Sequence, residues 1–166
     1  MGDRYGQEII KKTMSFYRFS SIKRILRFDL KKYRDKGDKL APIETIFNLF
    51  SKNLRSSYIP SEQLTIDEQL LTFKGRCPFK VYIPSKPGKY GIKIWAACDA
   101  KNGFVCNTQI YTGKIGLVPE KNQGERVVMD MCGPFLNKGR TVTCDNFFTT
   151  RVPGRGVWGA GRGDFV

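Results

Sequence analysis

The chain has 166 residues, enough for one ordinary domain, and its 40% hydrophobic and 13% aromatic content excludes general disorder. It carries 29 Lys and Arg against 15 Asp and Glu, a formal net charge of +14, and no histidine. Without an imidazole, Ser-His-Asp and Cys-His catalysis and His-ligated zinc are excluded.

The positive excess is spread along the chain, with 14 basic and 6 acidic groups in residues 1–60 and 15 and 9 in residues 61–166. Charge of this size and spread favours a polyanionic partner such as nucleic acid, with plain solubility as the alternative. The five cysteines, Cys77, Cys98, Cys106, Cys132 and Cys144, include no C-x-x-C pair. Buried free thiols in a reducing compartment are therefore expected, rather than a zinc ribbon or a disulfide framework. No basic-then-apolar leader opens the chain, and no apolar run reaches the ~18–20 residues of a membrane span, so a soluble intracellular protein with no membrane partner is expected.

In chain order, residues 16–30 read as a helix, with Phe16, Phe19, Ile22, Ile25 and Leu26 at helical spacing. A polar loop at 34–38 separates it from a second helix over about 41–55. There Pro42 suits the first turn, and Ile43, Ile46, Phe47, Phe50 and Leu54 form one apolar face. The pattern then changes. Leu64 to Phe73 reads as a strand, and Pro78 to Pro87, interrupted by three prolines, as an edge or loop. Tyr90, Ile92 and Ile94 alternate in the period of a half-buried strand. Asn102-Gly103 signals a hairpin, and Phe104 to Tyr111 is the returning strand. Asn122 and Glu125 suggest a capping box opening a short helix, with Val128, Met131 and Cys132 facing inward and Gly133-Pro134 ending it. Thr141 to Cys144 is a last strand, ending at Asp145. Residues 151–166, rich in Gly and Arg and without periodicity, read as an unstructured basic tail. The order is helical region, strand, hairpin, helix, strand: an α/β (α+β) arrangement on a mixed sheet, with the last strand parallel to a partner.

Several runs resemble the piggyBac-type transposases. They are Leu64-Thr65-Ile66-Asp67-Glu68-Gln69-Leu70, Phe73-Lys74-Gly75-Arg76-Cys77-Pro78-Phe79, and the longer run from Tyr82 to Lys93. Tyr111-Thr112-Gly113-Lys114 and Thr143-Cys144-Asp145-Asn146-Phe147-Phe148-Thr149 follow in the same order. The likeness covers about 16–150. It implies a small helical region at 1–60 and the N-terminal half of an RNase H-like DDE transposase domain at 61–150. It also implies DNA as partner and a nuclear location. Ancestrally the activity is two-metal phosphodiester cleavage and strand transfer with Mg²⁺ or Mn²⁺. The resemblance assigns the catalytic and metal-binding roles to Asp67 and Asp145. Glu68 falls on the opposite face of its strand, with a structural role.

The basic run Lys74, Arg76, Lys80, Lys86, Lys89 and Lys93, interleaved with Phe79, Tyr82 and Tyr90, reads either as phosphate contact or as a solvated strand face. The likeness stops at about 150 with no match to the family's third aspartate. A truncated, frameshifted or alternatively spliced copy, inactive as it stands, is therefore expected. The alternatives are a non-catalytic DNA- or chromatin-binding protein and a decayed reading frame.

Overall fold

The computed structural model describes residues 8–114, 120–145, 147–148 and 163–164. The chain divides into two compact units, 1–45 and 46–166. The expected second helix falls almost wholly in the second unit.

In the first unit, α1 (Glu8–Thr13) is followed by α2 (Phe16–Ile25). Ser15 caps α2 by accepting the Arg18 N–H at 3.3 Å. The helix ends five residues short of the expected boundary for a local reason. Arg27 turns back to donate to the carbonyls of Arg24 and Leu26, at 3.1 and 2.7 Å. Asp29 and Arg34 then close a loop with a paired contact at 2.5 and 2.8 Å. A 3-10 turn occupies Lys31–Tyr33. The apolar stripe of α2 has no buried member.

The second unit opens with α3 (Glu44–Ser57) and continues into β1 (Gln63–Thr72). A two-residue strand β2 (Val81–Tyr82), β3 (Tyr90–Asp99) and β4 (Val105–Ile110) follow. Then come α4 (Gln123–Cys132) and β5 (Thr141–Cys144). The last element is β6 (Gly163–Asp164). Strand β3 pairs antiparallel with β1 on one side and with β2 and β4 on the other. Strand β5 runs parallel to the free side of β1, the right partner for a strand that arrives by a helical crossover. The proline-rich stretch contributes only the short edge strand β2, as a segment lacking several N–H donors must. Gly163 and Asp164, expected in an unstructured tail, pair antiparallel with β5. The other residues of 151–166 lie outside those described.

Helix α4 covers one face of the sheet. Leu64 and Ile66 of β1, Trp95 and Ala97 of β3, Cys106 of β4 and Val142 of β5 meet Val127, Val128, Met131 and Cys132 of the helix. Each fully buried side chain of Val to Leu size contributes about 1.5–3 kcal/mol. Val128, Met131 and Cys132 face inward as their spacing predicts. The capping box does not form. Asn122 adopts a left-handed conformation (φ 56°, ψ 34°) and makes no side-chain cap, a geometry Asn tolerates. Its carbonyl instead accepts the Arg126 N–H at 3.1 Å, while Glu120 binds Gln123 and the Arg126 guanidinium.

A buried carboxylate fixes the far end of β3. Asp99 is fully buried and accepts hydrogen bonds from the Tyr58 hydroxyl, the Ser61 N–H and hydroxyl, and the Lys101 N–H, all within 2.8 Å. These donors, led by the Ser61 N–H, hold its carboxyl far below the usual carboxylate range. The bonds tie the end of α3, the start of β1 and the β3–β4 hairpin together. Gly103 completes that hairpin at a positive φ of 72°.

Candidate metal site at the end of the parallel strand pair

The β1–β5 register runs Gln63↔Thr141, Leu64↔Val142, Thr65↔Thr143, Ile66↔Cys144. One step further along both strands stand Asp67 and Asp145. Adjacent strands lie about 4.8 Å apart, and paired residues of a parallel ladder share a face. Leu64, Ile66 and Val142 go into the core, so Thr65, Asp67 and Thr143 take the other face, and Asp145 directly follows the end of β5. Asp67 and Asp145 are both exposed.

Local bonds orient each carboxylate. Asp67 Oδ1 accepts the Glu68 N–H at 2.7 Å. Asp145 Oδ1 accepts the Phe147 N–H at 3.0 Å, and its backbone carbonyl accepts the Phe148 N–H at 3.1 Å. Asp145 therefore begins a tight turn of the kind Asp favours, in which the side chain binds the backbone two residues on. Phe148 anchors the turn in the core at 3% exposure.

The two carboxylates of this patch are hard oxygen donors. Cys98 pairs across from Thr65 and so shares Asp67's face; burial, and then the charge of Asp67, push its thiol up. Two exposed carboxylates suit a hard ion such as Mg²⁺, which is held by one or two carboxylates and keeps several waters. Among the described residues no group of three or more His, Cys, Asp or Glu is placed to hold an ion.

Glu68 takes the α4 side of the sheet. It binds the Lys93 ammonium at 2.7 Å and lies 3.9 Å from that of Lys86. This alters the reading of the basic run. Lys93, with a side chain only 14% exposed, sits between Glu68 and the rings of Trp95, Tyr111 and Phe147, 4.7–6.0 Å from their centroids. It is an internal strut and does not face solvent as a phosphate contact would. Lys86 is half-buried beside the same carboxylate. Lys74, Arg76, Lys80 and Lys89 remain exposed, Lys80 also lying over the Tyr90 ring at 5.9 Å. Spacing along a strand cannot reveal which lysine meets a carboxylate on the neighbouring strand. Asp99, the most enclosed carboxylate of the sheet, was also missed. Its position at the head of the Asn-Gly hairpin was the available signal.

A cleft of about 380 Å³ in the first unit, bordered by Asp29, Tyr33, Arg34 and Asp38, holds none of the expected site residues. No helix among the described residues is long and apolar enough to cross a membrane.

The sheet is mixed, with β5 parallel to β1 and the other pairs antiparallel. A family model described as Transposase IS4 matches residues 2–151, and the chain belongs to that family of DDE-type transposases. The cryo-EM structure of a piggyBac transposase synaptic complex with hairpin DNA is similar at a TM-score of 0.75 and 36% identity, over 90% of this chain. The match takes in 34% of that transposase, so the chain spans about a third of its length. The resemblance expected over 16–150 thus extends further toward the N-terminus.

Proposed function

We propose that this chain carries part of the catalytic core of a DNA transposase, with Asp67 and Asp145 as two of the carboxylates that hold Mg²⁺ or Mn²⁺. The observation that supports this reading best is the parallel β1–β5 pairing, whose next step beyond Ile66↔Cys144 is the two aspartates. A divalent ion bound there supplies Lewis-acid activation of water and of phosphodiester oxygens. The protein's part is to hold and orient: the strands set the spacing of the carboxylates, and the Phe147 N–H fixes the rotation of Asp145. Exposure of both side chains leaves room for a phosphate.

DNA is the proposed partner and the nucleus the proposed location. The net charge of +14 supports the first, as does the DNA-bound state of the similar piggyBac structure. Lys74, Arg76, Lys80 and Lys89 are the proposed phosphate contacts. Taken by themselves, the 166 residues do not excise or integrate DNA in this reading. Two carboxylates hold one ion, whereas paired activation of nucleophile and leaving group needs two ions in register. A non-catalytic DNA- or chromatin-binding role is the second reading, favoured by the same exposed basic side chains.

The test is incubation of the chain with hairpin-ended and terminal-repeat DNA in Mg²⁺ or Mn²⁺, beside an Asp67→Ala control. Salt-sensitive binding without strand cleavage is expected. Cleavage that disappears in the control would overturn the inactive reading, and absence of DNA binding at low salt would overturn both.

A further inference from the structure

We infer that Gly124 and Lys93 are positioning residues for Asp145, an inference that rests on the metal-site reading above. The Asp145 carboxylate is oriented by the Phe147 N–H, so it points wherever residues 147 and 148 allow. Those residues are pressed against the first turn of α4 at Gly124. A Cβ on Gly124 would overlap the Phe147 carbonyl oxygen and stand 2.8 Å from the Phe148 Cα. Both are backbone atoms, so no rotamer change relieves the clash. Phe148 is anchored in the core, which leaves the Asp145 turn as the part that must lift.

Lys93 also contacts the turn. Its ammonium lies 4.7 Å from the Phe147 ring centroid and 2.7 Å from Glu68. Glu68 directly follows Asp67 on β1. One cation therefore links the residue after Asp67 to the residue two beyond Asp145, through an ion pair and a cation–π contact. Gly124 supplies the floor against which the turn closes, and Lys93 fixes its lateral position. Loss of either lets one carboxylate drift relative to the other. Supports of metal ligands typically change metal affinity by 10–100-fold when removed.

The experiment is a Mn²⁺ titration of the full chain, followed by calorimetry, with the Phe147 amide followed by ¹H–¹⁵N NMR in the metal-free protein. Gly124→Ala and Lys93→Met should each weaken Mn²⁺ binding about tenfold or more and move the Phe147 amide resonance. Gly133→Ala, at a helix-end glycine with open space around it, should keep wild-type affinity. Val128→Ala separates positioning from lost stability: it loosens the core beneath the same helix and should also keep wild-type affinity. Equal weakening by Val128→Ala would overturn the inference, as would wild-type affinity and an unmoved amide in Gly124→Ala and Lys93→Met. If Gly124→Ala does not fold, Lys93→Met decides by the same two readouts. A wild-type chain that binds no Mn²⁺ overturns the metal-site reading, and the metal-free amide resonance then decides the positioning claim by itself.

Discussion

Lys93 and Glu68 form an ion pair at 2.7 Å in which neither side chain is more than 22% exposed. Removing the lysine leaves a half-enclosed carboxylate with only the more distant Lys86. Lys93→Ala should therefore lower the free energy of unfolding by about 1.5–3 kcal/mol, the range for hydrogen bonds to charged groups. Lys74→Ala, at an exposed position, should stay within about 0.5 kcal/mol of wild type. Urea denaturation of the two variants checks this, and equal effects would contradict the role assigned to Lys93.

The same contrast should appear in DNA binding. Replacing Lys74, Arg76 and Lys80 together by Ala should weaken binding and flatten the dependence of log affinity on log salt. On duplex DNA the slope should fall by about 0.9 for each phosphate that is no longer neutralised. Lys93→Ala should leave that slope unchanged. Fluorescence anisotropy over a salt series measures both, and a slope that responds only to Lys93 would reverse the assignment.

Asp99 predicts a pH effect on stability. Its folded carboxyl is held below its ordinary value of 3.8 by four donors, the Ser61 N–H first. A depressed folded pKa means the unfolded state takes up the proton first. The stabilisation is thus fully present above about pH 4 and is lost as the pH falls below it toward the folded value. Asp99→Asn should lower the thermal midpoint at pH 7 and shrink the loss of stability between pH 4 and pH 2. Thermal unfolding across that range is the check, and a variant with the wild-type pH profile would contradict the assignment.

The cysteines should divide by burial. Cys106 and Cys132 are buried. Burial, and then the nearby Cys144, push the Cys132 thiol up to about 12. Reactivity needs an accessible thiolate, so these two should resist a maleimide in the native protein and react on unfolding. Mass spectrometry of the labelled peptides reads the result, and rapid native labelling of Cys132 would contradict the packing of α4 on β5.

Much of this sheet was legible in the sequence, because period-two alternation and turn residues are local signals. Tyr90, Ile92 and Ile94 marked β3, Asn102-Gly103 marked the hairpin, and the helix before Thr141 implied a parallel β5. The capping box failed because Asn122 takes a left-handed conformation and makes no side-chain cap, which the residue type alone does not disclose. The end of α2 at Ile25 depends on where the Arg27 and Arg34 side chains go. The partners of Lys93, Glu68 and Phe147, could not be read from the sequence because they come together only when β1, β3 and β5 have assembled. For Asp67 and Asp145 the family likeness singled out the residues, and the β1–β5 register supplies the geometry that recommends them as a pair.

The most direct test of the central claim is electron paramagnetic resonance of Mn²⁺ titrated into the wild-type chain, Asp67→Asn, Asp145→Asn and the double variant. If the two aspartates form one site, the wild type should bind Mn²⁺, either single substitution should remove most of the bound signal, and the double variant should lose little more. Such non-additivity is expected of residues that act together. Mn²⁺ binding that survives undiminished in the double variant would contradict the claim that Asp67 and Asp145 are the metal ligands.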